Sequence, residues 1–211
     1  MKKILILLLL MIGAFTMTAQ VRPHIQEIVN RISEYSSIDA KFVGISGSKS
    51  DLYLDFEKLQ EEATIKELTT LIGDTNLVVK GYAALALTDR NYVGMSLIFE
   101  TFLNLKGEID YHDGCSYYPE TLANLLYSRA FFRKFVYVSK IVQYSISNET
   151  LIKQLDSVYL YSKNRLDDLS FTNQHVFENF NIDEPNYAQI RKIALQENNL
   201  YALLALSKYK K

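Results

Sequence analysis

The sequence predicts an all-α fold, a short irregular α-α superhelix of seven to nine helices. Three observations carry this expectation. Apolar residues recur at helical spacing along most of the chain, as in Ile25, Ile28, Val29 and Ile32. Helix-start signals stand in front of such stripes, the clearest being the capping box Thr64-Ile-Lys-Glu67. Breakers are scarce, with 8 Gly and 3 Pro in 211 residues, whereas an all-β chain needs many Gly- and Pro-rich turns.

The N-terminal stretch reads as a targeting segment. Lys2 and Lys3 form a positive start, Ile4 to Ile12 is unbroken apolar sequence, and small residues near Ala19 precede Gln20. Residues 1–19 are therefore expected to be a signal peptide cleaved between Ala19 and Gln20. Ile4 to Ala19 is 16 residues, short of the ~20 apolar residues of a spanning helix. The expected product is exported, periplasmic or secreted, without stable membrane insertion after cleavage. Residues 20–211 are expected to form a single α-helical domain.

Along that domain, His24 to Tyr35 is expected as an amphipathic helix with Pro23 in its first turn. Ser36 to Lys49 carries Gly44, Gly47 and four serines and reads as a loop. Asp51 to Ala63 is helical, with Leu52, Phe56 and Leu59 on one face. The helix begun by Thr64 is expected to stop at Gly73 through a left-handed cap. Asp74 or Asn76 then caps the next helix. Val78, Val79, Tyr82, Ala83, Leu85, Ala86 and Leu87 cover two of its sides, so it belongs between neighbours. Asn91 to Leu105 is a third helix. Lys106 to Tyr118 breaks the pattern, and Pro119 suits a new helix start, continued by Leu122, Leu125 and Leu126. Phe131 to Tyr144 reads as helix on the stripe Phe131, Phe135, Val138 and Val142, although its β-branched and aromatic content is high. Asn148 to Ser162 is helical, and Leu169 to Glu184 is polar and irregular with possible helical turns. Asn186 to Gln196 and Leu200 to Lys210 close the chain as two helices, with Lys208, Lys210 and Lys211 complementing the last negative helix end. The last helix lacks a polar outer neighbour, so its exposed end is expected to meet another copy or a different stacking.

Residues 64–90 resemble a HEAT-like (armadillo-type) repeat, two short antiparallel helices joined by a tight turn. Leu68, Leu71 and Ile72 carry the resemblance on the first helix, and Asp74 and Asn76 carry it in the turn. Val79, Lys80, Ala83, Ala84 and Leu87 carry it on the second. The family usually has Arg at the position of Lys80. A second candidate lies at residues 188–207, where Ala202-Leu-Leu-Ala-Leu206 echoes Ala83-Ala-Leu-Ala-Leu87. The chain is similar to exported bacterial HEAT-like proteins. That resemblance implies stacked helix pairs and an interaction scaffold. Its binding groove would run along the second helices, framed by the loops at 36–49 and 106–118.

Charge and cysteine content narrow the chemistry. The formal net charge is −1. Residues 1–19 hold two of the 23 basic residues and no acid, so 21 basic and 24 acidic residues leave the remainder at −3. Nothing here suggests a nucleic-acid partner. One Cys excludes an intramolecular disulfide and any multi-Cys zinc site.

The one cluster of reactive side chains is Asp110-Tyr-His-Asp-Gly-Cys115. Cys115 could be a nucleophile with His112 as base and Asp110 or Asp113 as orienting acid; the alternative is an inert, partly buried thiol. The same loop could hold a metal through Asp110, His112, Asp113 and Cys115, with His24 or His175 completing the set. EF-hand spacing fails, since Gly114 is fifth and Thr121 twelfth counted from Asp110. Fifteen Tyr and no Trp suggest a surface reading for Tyr111, Tyr117 and Tyr118, as sugar or protein contacts, and a core role for Tyr82, Tyr127 and Tyr159. The acid pairs Asp167-Asp168 and Glu61-Glu62 read as solvated surface, because adjacent carboxylates do not flank a cleft. The leading expectation is a non-enzymatic protein-binding or scaffold protein of the bacterial cell envelope, with no catalytic, cofactor or metal residues. The alternatives are a Cys-dependent enzyme using Cys115 and His112, or a tyrosine-based carbohydrate-contacting surface protein.

Overall fold

The computed structural model describes residues 21–133, 135–138, 141–144, 146–166, 170–179 and 184–208. The expected signal peptide, the Asp167-Asp168 pair and the terminal Lys210 and Lys211 lie outside these residues. Within them the chain forms ten helices, a four-stranded mixed sheet and a two-stranded hairpin. The fold is therefore α/β, and the all-α superhelix expected from the sequence is corrected.

The helical signals read from the N-terminal half produce the helices that they announce. α1 (Pro23–Ser33) buries Ile25, Ile28, Val29 and Ile32. α2 (Asp51–Glu62) starts where Ser50 Oγ accepts the Tyr53 N–H, and it buries Leu52, Tyr53, Phe56 and Leu59. α3 (Ile65–Leu71) opens on the complete Thr64–Glu67 capping box. α4 (Leu77–Asp89) is capped by Asn76, whose side chain accepts from the Val78 and Val79 N–H groups. Asp74 instead accepts the Asn76 N–H at 2.8 Å, which holds the cap in place. Gly73 does not take the expected left-handed conformation; its N–H bonds the Thr70 carbonyl and tightens the end of α3. Lys80 has no ion pair among the described residues, so the carboxylate ladder of a HEAT stack is not built from it.

Every residue of α4 from Gly81 to Thr88 is buried. The expected groove along this second helix is thus absent, because α1, α2, α3, α5, α6 and β1 surround it. Gly81 marks the tightest approach. A Cβ there would sit 2.3 Å from Ile38 Cδ1 and 3.0 Å from Leu122 Cδ2. α5 (Met95–Leu103) begins four residues later than expected, after Asn91 turns the chain with φ 51°.

The sheet comes from the two segments expected as loops. β1 (Ser37–Val43) and β2 (Ser48–Lys49) form one hairpin, and β3 (Ile109–Gly114) and β4 (Ser116–Glu120) another. The strand order is β2-β1-β3-β4. β1 and β3 run parallel, with Ser37, Ile38 and Asp39 opposite Asp110, Tyr111 and His112; α2 to α5 form the crossover. The glycines sit in the turns, where Gly44, Gly47 and Gly114 have φ of 73°, 60° and 55°. Pro119 lies within β4, and Thr121 caps α6 (Leu122–Phe132) in its place.

Phe131 to Tyr144 is corrected too. α6 ends at Phe132, and β5 (Phe135–Val138) pairs with β6 (Ile141–Tyr144), as the β-branched and aromatic content favours. α7 (Ile146–Tyr161), α8 (Phe171–Asn179), α9 (Glu184–Gln196) and α10 (Leu200–Ser207) complete the chain. α8 is a regular helix within the segment expected to be irregular with possible helical turns. No helix of the described residues is long and apolar enough to cross a membrane.

One apolar core runs from Ile25 to Ala205. Tyr82, Tyr127 and Tyr159 are buried in it as expected, each with its hydroxyl satisfied. Tyr127 donates to Asp156 at 2.6 Å and Tyr159 to Asn173 at 3.0 Å. Asn124 Oδ1 accepts from the Thr172 N–H and hydroxyl, tying α6 to α8.

Two carboxylates bind distant elements together. Asp89 accepts from Arg129 Nε and Nη2 at 2.9 and 2.6 Å, Arg133 Nη1 at 3.0 Å and Gln60 Nε2 at 2.7 Å. It thereby joins α2, α4 and α6. Burial opposes the Arg129 charge, but the hydrogen bonds to Asp89 outweigh it and hold its pKa above the ordinary arginine value. Asp89→Ala strips these guanidinium groups of their carboxylate and is expected to cost about 3–5 kcal/mol, measured by denaturant unfolding.

Glu67 accepts from the Arg22 side chain at 2.8 and 2.9 Å and from the Arg22 and Thr64 backbone N–H groups. The Arg22 hydrogen bonds, opposed by burial and aided by Thr64, hold its carboxyl well below the usual carboxylate range. A carboxyl depressed in the folded state contributes fully above its unfolded value, near 4.5, and loses that contribution as pH falls further. Glu67→Gln is therefore expected to flatten the acid limb of stability against pH below about 4.5, read by thermal unfolding across that range.

Candidate functional site

The two expected framing loops meet as neighbouring hairpins at one end of the sheet. The Gly44 N–H donates to the Gly114 carbonyl at 2.6 Å and holds the two tips side by side. In the β1–β2 turn the Gly47 N–H closes back on the Gly44 carbonyl. The β3–β4 turn has the two-residue loop Gly114-Cys115 between the paired residues Asp113 and Ser116. A glycine with positive φ in the first loop position is what such a tight hairpin favours.

That turn sets the ladder below it. Asp113 and Ser116 flank the loop as a hydrogen-bonded pair, so His112 and Tyr117 form the next, non-hydrogen-bonded pair, whose side chains lie closer together. Their rings stack with centroids 3.7 Å apart and planes 15° apart. The same alternation puts Pro119 opposite Asp110 in a non-hydrogen-bonded pair, where a missing N–H breaks no bond to β3. The outer edge of β4 thereby loses one of its donors and is blunted against further strand pairing.

His112 is buried, and its neighbouring acid comes from β1. The Asp39 carboxylate lies 3.6 Å from His112 Nδ1, beyond hydrogen-bond reach. Asp39 is firmly positioned. Its N–H donates to Tyr82 Oη at 2.9 Å, and Tyr82 donates back to the Asp39 carbonyl at 3.1 Å. Ser50 Oγ donates to Asp39 Oδ2 at 2.5 Å and Ser37 Oγ to Oδ1 at 3.3 Å. Burial pushes the Tyr82 hydroxyl pKa well up. The Ser50-Asp39-His112 order places the carboxylate between hydroxyl and imidazole, whereas a catalytic triad needs the imidazole between the other two. Ser50 is instead the cap of α2.

Cys115 is exposed at the hairpin tip, not partly buried. Among the described residues no hydrogen bond joins it to His112, whose ring lies against Tyr117. The acid nearest His112 is Asp39 rather than Asp110 or Asp113. The nucleophile-base-acid arrangement considered for this loop is thus not assembled, because the strand register carries His112 away from the turn. The other two histidines sit elsewhere. His24 Nε2 lies 3.8 Å from Glu62, and His175 stacks on Phe171 at 3.7 Å. Among the described residues no three His, Cys, Asp or Glu side chains converge as metal ligands.

The loop tyrosines do not make one platform. Adjacent strand residues face opposite sides of a sheet. Tyr117 stacks on His112, while Tyr118 packs edge-on against Tyr111 with centroids 5.6 Å apart. Burial, with Asp113 and Tyr118 nearby, pushes the Tyr111 hydroxyl pKa up.

The hairpin tips also present apolar side chains that sequence reasoning did not single out. Ile45 is 97% exposed and Phe42 53%, and they join the loop tyrosine Tyr117, 64% exposed. Lys41 and Lys49 share one counter-ion, Glu57, and Lys41 Nζ also stands 5.8 Å from the Phe42 ring centroid. The signal that could have found this tip is the run Phe42-Val-Gly-Ile45, apolar residues around a turn glycine. Asp39 and Ser50 carried no local signal at all.

Because no hydrogen bond joins His112 to the thiol among the described residues, His112→Asn is expected to leave the alkylation rate of Cys115 in the folded protein unchanged within about twofold. The check is iodoacetamide labelling followed by mass spectrometry; a drop of about tenfold or more would restore the ring as the base of a reactive thiolate. No protein-family model matches this chain, and no curated protein or solved structure is significantly similar to it.

Proposed function

We propose that this chain is a non-enzymatic protein-binding or scaffold protein of the bacterial cell envelope, exported with cleavage after Ala19, and that it meets its protein partner at the paired hairpin tips. The supporting observation is the Gly44–Gly114 hydrogen bond, which sets the exposed Ile45 and Phe42 beside the second tip. Large apolar side chains on an already ordered framework lose little freedom when a partner covers them. Such anchors, with a polar rim, are the usual centre of a protein interface. Lys41, Lys49 and Glu57 supply that rim. The HEAT-like likeness of residues 64–90 belongs to this proposal as the packed pair α3 and α4, of which the buried α4 supports the sheet through β1.

The test is chemical cross-linking in envelope extract, read by mass spectrometry. The recovered chain should begin at Gln20, and its cross-links to one dominant protein should map around residues 41–49 and 113–118. Phe42→Ser with Ile45→Asp is expected to reduce those cross-links about tenfold or more. Leu97→Asp on α5, at a side chain 70% exposed, should leave them unchanged. Cross-links that survive the tip substitutions would reject the tips as the binding surface.

A further inference from the structure

We infer that two copies of this chain pair through helix α10, packed antiparallel about a twofold axis, with Leu203 and Leu204 at the centre of the contact. The inference concerns an element other than the hairpin tips and does not depend on the function proposed for them.

The exposed positions around α10 are Leu200, Leu203, Leu204, Ser207 and Lys208, which is the i, i+3, i+4, i+7, i+8 stripe of one helix face. A solvent-facing stripe is ordinarily polar, yet its first two turns here are leucine, exposed by 53, 40 and 47%. The opposite face buries Ala202 and Ala205, and α10 packs on α8 and α9. A helix apolar on both faces belongs between two layers, and α8 and α9 cover one of those faces. The placement of α10 does not depend on the leucines. Asn199 caps it by accepting the Ala202 N–H at 2.9 Å, and its amide is anchored to Asn173 at 3.0 Å.

Charge selects a second copy as the occupant. The centre of the stripe is uncharged, so it faces itself without repulsion. Its ends carry opposite signs. Glu197 is exposed just before the start of α10, where it also binds Arg165, and Lys208 is exposed just past the end. An antiparallel pair sets Lys208 of each copy beside Glu197 of the other. It also sets the positive end of each helix beside the negative end of its neighbour. Along the helix itself, from Leu200 to Lys208, the midpoint falls at Leu204, beside Leu203, so a twofold axis there centres the apolar contact. A parallel pair would bring like charges together. Three half-open leucines supply only part of the ~800 Å² per partner of a standard stable interface, so the pair is expected to be weak and concentration-dependent.

Sedimentation velocity from low micromolar to submillimolar concentration tests this on protein made from the full coding sequence, under reducing conditions and with its N-terminus established by intact mass. Wild type is expected to show a reversible monomer–dimer equilibrium. Leu203→Glu with Leu204→Glu, and separately Lys208→Glu, should weaken it by about tenfold or more and about threefold respectively, with helical circular dichroism unchanged. In a Cys115→Ser background, Leu203→Cys should form a disulfide-linked dimer under mild oxidation. A wild type that stays monomeric throughout would overturn the inference. So would a dimer indifferent to the leucine pair and to Lys208. Should the double substitution perturb folding, Lys208→Glu and the Leu203→Cys cross-link decide the matter, since each changes a single exposed side chain.

Discussion

From Gly81 to Thr88 helix α4 has no side left for water, and the rest of the molecule is arranged to make that possible. A helix surrounded on all sides must let its neighbours come close and must satisfy its own polar groups without solvent. Small residues meet the first demand. Gly81, Ala83, Ala84 and Ala86 leave room for β1 and the adjoining helices. The second is met locally and at both ends. Thr88 Oγ1 donates back to the Ala84 carbonyl at 2.9 Å, and Asn76 takes the first free N–H groups. Arg90, one residue past the helix, donates to the Gln60 and Ala63 carbonyls at the end of α2. Tyr82 spends its hydroxyl on the backbone of Asp39 in β1. The central helix thus fixes the strand that carries the acid beside His112, which is how a structural constraint reaches the candidate site.

Ionic groups are treated by the same rule. Asp89 and Glu67 are almost withdrawn from water, with side chains 6 and 7% exposed, and each is surrounded by donors from elements distant in sequence. Such clusters need not add much net stability over an apolar packing of the same shape, but losing one member leaves a charge stranded. Among the described residues no buried side-chain nitrogen or oxygen lacks a hydrogen bond. The polar chain from Asn124 through Thr172, and that from Tyr159 through Asn173 to Asn199, extend this satisfaction into the C-terminal helices.

The parts of the fold that were legible in the sequence are those whose cause is local. The Thr64–Glu67 box, the Asn76 cap and the all-round burial of α4 follow from residues within a turn or two of each other. The sheet was not legible, because its central pairing joins Ser37 to Asp110 across the whole α2 to α5 crossover. Periodicity within a window of a dozen residues cannot register a partner that far away. Gly44, Gly47 and Gly114 were read as loop markers, which is locally right; what they mark is the ends of strands. At the site, His112, Cys115 and Tyr117 stood out by residue type, while Asp39, Ser50 and Tyr82 came from three other elements. Chemistry inferred from neighbours in sequence therefore matched the wrong acid to the histidine. For Phe131 to Tyr144, residue composition pointed to strands and helical spacing to a helix, and composition prevailed.

The parallel pairing of β1 with β3 also orders events in time. During synthesis β1 is made long before β3, and the helices α2 to α5 emerge between them. Until residues near Gly114 have joined the folding chain, one edge of β1 has no partner, while Tyr82 can already occupy backbone groups on the other. β3 and β4 can meet through a two-residue turn as soon as they exist, but joining them to β1 requires the crossover helices to have found their places, a closure of high sequence separation. The Gly44–Gly114 bond that brings the two tips together is then among the last contacts to form. A partner that grips both tips would bind finished molecules and pass over nascent or partly unfolded ones.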